Sequence, residues 1–234
     1  EALRHAGFYH RTEVRIHWID SENITVESDR ELLAELDGIL IPGGFGSRGI
    51  EGMILAARFA RENKIPCFGI CLGMQVMVIE FARNAAGIKD AGSGEFDGQC
   101  AHKVIDFMPG QNTDIDKGGT LRLGAYPCII ARGTTMERCY ESRFVSERHR
   151  HRYELNNEYR EKLQEKGLVL SGTSPDKRLV EAVELTDRPF YVGVQYHPEF
   201  KSRPTYAHPL FKGFVEAALV CAKDRSMGDG GKQV

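Results

Sequence analysis

Apolar positions along this chain change period repeatedly, and each change marks an element. TEVRIHWID (12–20) alternates with a period of two at its centre, the pattern of a half-buried strand. DRELLAELD (29–37) then brings Leu32, Leu33 and Leu36 onto one helical face. GILIP (38–42) reads as a short buried strand running into the glycine-rich turn GGFGSRG. EGMILAARFARENK follows as a helix with Ile54, Leu55, Ala57, Phe59 and Ala60 as its apolar positions; PCFGI (66–70) is the next strand and LGMQVMVIEFARN (72–84) the next helix. Repeated strand-helix units of this length predict an α/β fold: an open, mostly parallel sheet with right-handed crossovers and helices on both faces.

Beyond residue 100 the pattern changes. HKVIDFMP, TLRLGAYPCIIA, LVLSGTS, RLVEAVEL and FYVGVQYHP read as consecutive strands separated by Gly, Pro and Asp turns, which predicts an antiparallel extension of the same domain. The helix NEYREKLQEKG interrupts them, and HPLFKGFVEAALVCAK closes the fold as an amphipathic helix. One domain over 1–223 is expected, followed by a polar, glycine-rich and disordered tail over 224–234. The opening EALRHAGFYH reads as the end of a helix without its beginning, so further chain is expected upstream.

Composition narrows the function classes. With 234 residues and 41% hydrophobic content, the chain is long enough for one substantial core. Its 31 basic and 33 acidic side chains give a formal charge of −2, no global field for nucleic acid or anionic membrane, so anion recognition must be local. Six cysteines at 67, 71, 100, 128, 139 and 221 contain no Cys-x-x-Cys pair, and a chain of this size needs no disulfide staple, which favours a reducing, cytoplasmic setting. No signal-peptide pattern and no membrane-length apolar run points elsewhere.

The candidate chemistry begins at FGICLGMQ (68–75). In open α/β sheets catalytic groups collect at the carboxyl ends of strands, and Cys71 stands there, between Gly69 and Gly73. Gly-x-Cys-x-Gly has the form of a nucleophile elbow, and the helix starting near Leu72 would aim its N–H groups at the sulfur and lower its pKa. Free cysteines are more often small core hydrophobes, so the elbow alone leaves buried thiol and nucleophile both open. Cys67, mid-strand, lacks the turn and is expected to be unreactive. A base is available at another strand end: His197 follows YVGVQY, Pro198 stops that strand, and Glu199 could orient the imidazole. The turn Gly43-Gly44-Phe45-Gly46 could face an oxyanion together with the N–H of Leu72, although a glycine-rich turn could equally cradle phosphate.

PGGFG (42–46), GICLGMQ (69–75) and HPE (197–199) together resemble the class I, triad-type glutamine amidotransferases. The strings GFGSRG, GEFDG, GGTLRLG, RHRHRYE and VQYHPEFKSRP resemble, more narrowly, the C-terminal glutaminase domains of the CTP synthase family, over a match running to about residue 220. The resemblance implies that Cys71 attacks the side-chain amide of L-glutamine, with His197 as base and Glu199 orienting it. It further implies that Gly44 and Leu72 supply oxyanion N–H groups, that Gln75 and Glu95 contact the glutamine head group, and that Arg152 lies at its carboxylate. Gly73 and Met74 complete that set. The charges fit, because a zwitterion needs one anionic and one cationic partner.

The family also implies partners: a covalently linked N-terminal amidoligase domain, using ATP and Mg, that aminates UTP with channelled ammonia, GTP as activator, and a homotetramer for the full protein. No cofactor or metal is expected in this domain. Phe45, Arg48, Thr120 and Arg122 are expected to serve GTP activation, with GGTLRLG (118–124) as a hinged loop. The family's usual opening strand and amidoligase domain are not in the sequence. Two other readings compete. One is a γ-glutamyl hydrolase, usually secreted, for which Asn23-Ile24-Thr25 is the one glycosylation triplet; the other is a non-catalytic module that has kept the fold.

Overall fold

The computed structural model describes residues 1–107 and 122–229. Three parallel strands form the half of the main sheet that carries the site: β1 (Ile39–Ile41), β2 (Cys67–Ile70) and β10 (Tyr191–Val194). Their register aligns Ile41, Gly69 and Gly193 side by side, so all three carboxyl ends emerge at one edge of the sheet. From β10 the sheet continues antiparallel through β9 (Val180–Glu184), β8 (Val169–Thr173), β5 (Arg122–Ile130) and β6 (Phe144–His151), seven strands in all. The antiparallel extension is thus the larger half, and the sheet as a whole is mixed. A smaller sheet of β3 (Ala91–Ser93), β4 (His102–Phe107) and β7 (Tyr153–Leu155) lies beside it, so HKVIDF leaves the main sheet, and the helix α6 (Arg160–Glu165) follows β7.

Helices cover both faces because the central strands are apolar on both. Cys67 and Tyr191 point into a core built with α2 (Asp29–Leu33), α3 (Ile50–Asn63) and α4 (Leu72–Asn84); Phe68, Ile70, Val192 and Val194 point into the opposite core with α1 (Ala2–His10) and α7 (Pro209–Asp229). Every residue of α4 from Leu72 to Ala82 is buried, as a helix apolar all round requires. The one carboxylate in that stretch, Glu80, is held by a bidentate contact from Arg61 of α3, at 2.8 and 2.9 Å. A second buried carboxylate, Glu184, accepts from the N–H groups of Thr135 and Met136, which open the short helix α5 (Thr135–Tyr140).

Three expectations change. Residues 12–17 keep the alternation of half-buried and exposed positions, yet no described strand pairs with 12–20 and Trp18 is 90% exposed. Alternation encodes a covered face, but a strand also needs a neighbour for its N–H and C=O groups. The helix expected over 29–37 closes after Leu33. The tail expected from 224 continues α7 to Asp229, because Arg225 pairs with Asp37 and donates to the Ala34 carbonyl at 3.3 Å, tying the last turns to the body; 230–234 lie outside the described residues.

Candidate active site

The turn after β2 is sharp and has a cause. Cys71 has φ 53 and ψ −103, a region that residues with a side chain enter only under constraint. A Cβ on Gly73 would strike the Ile41 carbonyl oxygen, and one on Gly69 would lie 2.7 Å from the Gly73 backbone, so both flanking glycines allow backbones to touch. The Cys71 N–H donates to the Val194 carbonyl at 2.7 Å, locking the turn to β10.

The electrostatics differ from the sequence expectation. Cys71 is 3% exposed, and burial pushes its thiol up to about 12, against the opposing N–H of Leu72; Glu199, Glu95 and Glu154 push the same way. The helix terminus does act on the sulfur, but desolvation outweighs it, and the thiol is neutral at pH 7. Burial raises Cys67 as well. What separates the two thiols is therefore the turn and its neighbours.

Those neighbours come from β10 and the turn after β1. The backbone N–H of His197 donates to the Arg148 carbonyl at 2.7 Å, and a 3-10 turn over Pro198–Lys201 folds Glu199 back onto the ring, Nδ1 to Oε1 at 2.7 Å. The carboxylate keeps the proton on Nδ1 and leaves Nε2, which is buried and has no hydrogen-bond partner among the described residues, as the basic atom. Phe200 stacks on the imidazole at 5.0 Å between centroids. A Cβ at Gly43 would sit 2.9 Å from His197 Cε1 and 3.5 Å from Cys71 Cβ, so this glycine lies against base and thiol together.

A cavity of about 440 Å³ opens beside the sulfur, with Gly44, Cys71, Gln75, Glu95 and Arg152 in its lining. Glu95 is half-buried. Desolvation raises its pKa, while the N–H of Gly46 and the positive charge of Arg152 oppose the rise. Gln75 donates both ways through Nε2, to the Tyr153 carbonyl and to Gln195 Oε1, each at 3.2 Å, so its amide protons are already engaged. Leu72 and Gly73 open α4. Met74 packs fully buried against Gly193 and has only its backbone to offer a ligand.

Of the residues expected to serve activation, Phe45 is 63% exposed on the rim with the Arg150 guanidinium 5.5 Å above its ring. Arg48 is exposed and paired with Glu22 at 2.6 Å. Thr120 and 118–121 of the glycine-flanked loop lie outside the described residues. Arg122 differs from expectation: it is 8% exposed, reaching Glu181 at 2.7 Å and Glu154 at 3.5 Å, and its guanidinium lies over Tyr126. It opens β5 opposite His151, so its side chain points inward and cannot meet a ligand from solvent.

Around Arg122 stands a group the motif reading missed. His149 Nδ1 and His151 Nε2 are 2.8 Å apart, and burial lowers the two imidazoles to about 2 and about 3, so both are neutral. The signal was present in RHRHRYE, where the strand period alone sends His149 and His151 inward and Arg148 and Arg150 outward.

The chain is similar to known proteins in family, in sequence and in fold. The family "Glutamine amidotransferase class-I" matches residues 1–217. CTP synthase of Caldanaerobacter subterraneus subsp. tengcongensis is 59% identical over 219 residues, 94% of this chain, and that of Clostridium acetobutylicum is 56% identical over 218 residues, 93% of this chain. The chain spans 41% of the length of each. Among solved structures, the glutaminase domain of Trypanosoma brucei CTPS with bound acivicin superposes with a TM-score of 0.87 at 40% identity, covering 93% of this chain and 85% of that one.

Proposed function

Because the chain belongs to the class I glutamine amidotransferases, we propose that it hydrolyses L-glutamine to glutamate and ammonia through a thioester on Cys71. One observation carries the reading: a strained cysteine at the end of β2 lines a cavity that also holds the Glu95 carboxylate and the guanidinium groups of Arg150 and Arg152, while an imidazole-carboxylate pair at the end of the adjacent β10 packs with Cys71 against Gly43.

The sequence of steps follows from the groups. The Glu95 carboxylate takes the substrate ammonium and Arg152 its carboxylate, which lays the side-chain amide over the sulfur. Since the thiol is neutral at rest, the proton must leave as the S–C bond forms: His197 Nε2 accepts it, and Glu199 stabilises the resulting imidazolium. The N–H groups of Gly44 and Leu72 meet the tetrahedral oxyanion. Collapse breaks the C–N bond, and the imidazolium returns its proton to the departing nitrogen, which leaves as ammonia. Water, deprotonated by the same Nε2, then attacks the thioester; glutamate leaves and the thiol is restored. Gln75 serves this site by anchoring the Tyr153 wall, and Gly73 and Met74 by presenting backbone.

In the longer protein whose relatives are CTP synthases, the ammonia passes to a linked amidoligase domain that uses ATP and Mg to aminate UTP, in a cytosolic homotetramer. GTP acts as activator near Phe45, on the cavity rim, and Arg48, further along the same glycine-rich turn. Six free thiols suit that reducing setting, and no described helix is long and apolar enough to cross a membrane.

The test is covalent. Incubation with 6-diazo-5-oxo-L-norleucine, a glutamine-shaped electrophile, is expected to label Cys71 and leave Cys67 unmodified in mapped peptides. Labelling at Cys67 or Cys139 alone would overturn the assignment.

A further inference from the structure

We propose that Gln195, which neither the motif reading nor the family comparison singles out, is a positioning residue for the nucleophile: its side-chain amide donates an N–H to the Cys71 sulfur and favours the thiolate. This rests on the reading above only for which cysteine reacts.

Gln195 is fully buried immediately after β10, and the register Val194 to Ile70 brings it alongside Cys71. Its own N–H is bound to the Glu181 carbonyl at 2.8 Å, which fixes the backbone. Its side-chain nitrogen lies 3.7 Å from Sγ, within reach of an N–H···S bond. Amide ends are assigned by their partners, and here the partners leave no choice. The Tyr153 carbonyl oxygen can only accept, so the Gln75 group 3.2 Å from it must be NH2. That same NH2 lies 3.2 Å from the Gln195 side chain, which must therefore present oxygen. The far end of Gln195, toward the sulfur, is then NH2. Reversing Gln195 would set two donors against each other in a buried site.

An N–H donor bonds a thiolate more strongly than a thiol, so this contact adds to the Leu72 N–H against the burial that raises Cys71. It also joins the cavity wall at Tyr153 to the reacting atom through two side-chain amides.

The test uses iodoacetamide, which requires no glutamine, with alkylation of Cys71 followed by peptide mapping between pH 6.5 and 9. Gln195→Met keeps the length of the side chain and removes the donor. Gln195→Glu keeps its shape and replaces the donor by oxygen. Both are expected to slow alkylation at pH 8 by about tenfold or more, equivalent to a rise of about one unit in the thiol pKa, and the Glu variant should fall further as its carboxylate ionises. Unchanged rates in variants that keep the wild-type thermal transition would overturn the proposal. If the variants fail to fold, 15N-glutamine labelling of the unaltered chain reads the same contact: alkylating Cys71 should shift the Gln195 side-chain amide resonances, and unmoved resonances would overturn it. Failure here leaves the glutaminase reading standing, and failure of the diazo reagent to reach Cys71 leaves this contact standing.

Discussion

At the scale of single residues, burial sets most of the chemistry. Cys71 is the clearest case, since a thiol raised from about 9 to about 12 stabilises the fold in its protonated form. The folded state then holds a proton that the unfolded chain loses first. The contribution is present below about pH 9 and is lost as pH climbs toward 12. Thermal midpoints are therefore expected to fall steeply above pH 9, and Cys71→Ala should flatten that slope; an identical alkaline profile in the variant would contradict the burial account. Arg122 is the opposite case, a cation that makes two buried carboxylates tolerable. Arg122→Met should cost about 3–5 kcal/mol in urea unfolding, because Glu181 and Glu154 are left uncompensated. Adding Glu181→Leu should recover part of that loss, whereas an exposed activator contact would show neither effect.

At the scale of elements, the site is a consequence of register. Parallel pairing brings the ends of β1, β2 and β10 together, and each end contributes one piece: a glycine turn, a thiol and an imidazole. Close packing at that junction leaves no room for side chains at certain positions. Gly43→Ala would drive a methyl group against the His197 ring and Cys71 Cβ, and ammonia release from glutamine is expected to drop by at least about tenfold with the thermal midpoint as control. Wild-type turnover in that variant would mean the imidazole does not need its present position. The α4 amino terminus acts on the sulfur through the Leu72 N–H, and desolvation outweighs that contact.

At the scale of the molecule, the chain is a two-faced α/β body whose cavity opens beside an exposed aromatic, Phe45, carrying the Arg150 guanidinium. Expressed alone, it is expected to accept the diazo label yet turn glutamine over slowly. Joined to an amidoligase domain with GTP present, turnover should rise, as measured by glutamate formation. Full turnover of the chain alone, unaffected by GTP, would contradict that coupling.

Local physics made part of this readable from sequence. The helices over 50–63 and 72–84, the strands β1, β2 and β10, and the positions of Cys71 and His197 at strand ends all follow from periodicity and from glycine and proline punctuation, which act within a few residues. Other features depend on partners remote in the chain. Residues 12–20 alternate like a strand but find no described neighbour, and 224–229 are polar but are held helical by Asp37 and Ala34. Arg122 is cationic and flanked by glycines, yet two carboxylates from other strands draw it inward. The tilt of the Cys71 pKa and the Gln75-Gln195 relay likewise come only from packing, because desolvation and hydrogen-bond direction are properties of what surrounds a group. Sequence by itself determined which residues could react; the tertiary structure decided which of them meet, and in what protonation state.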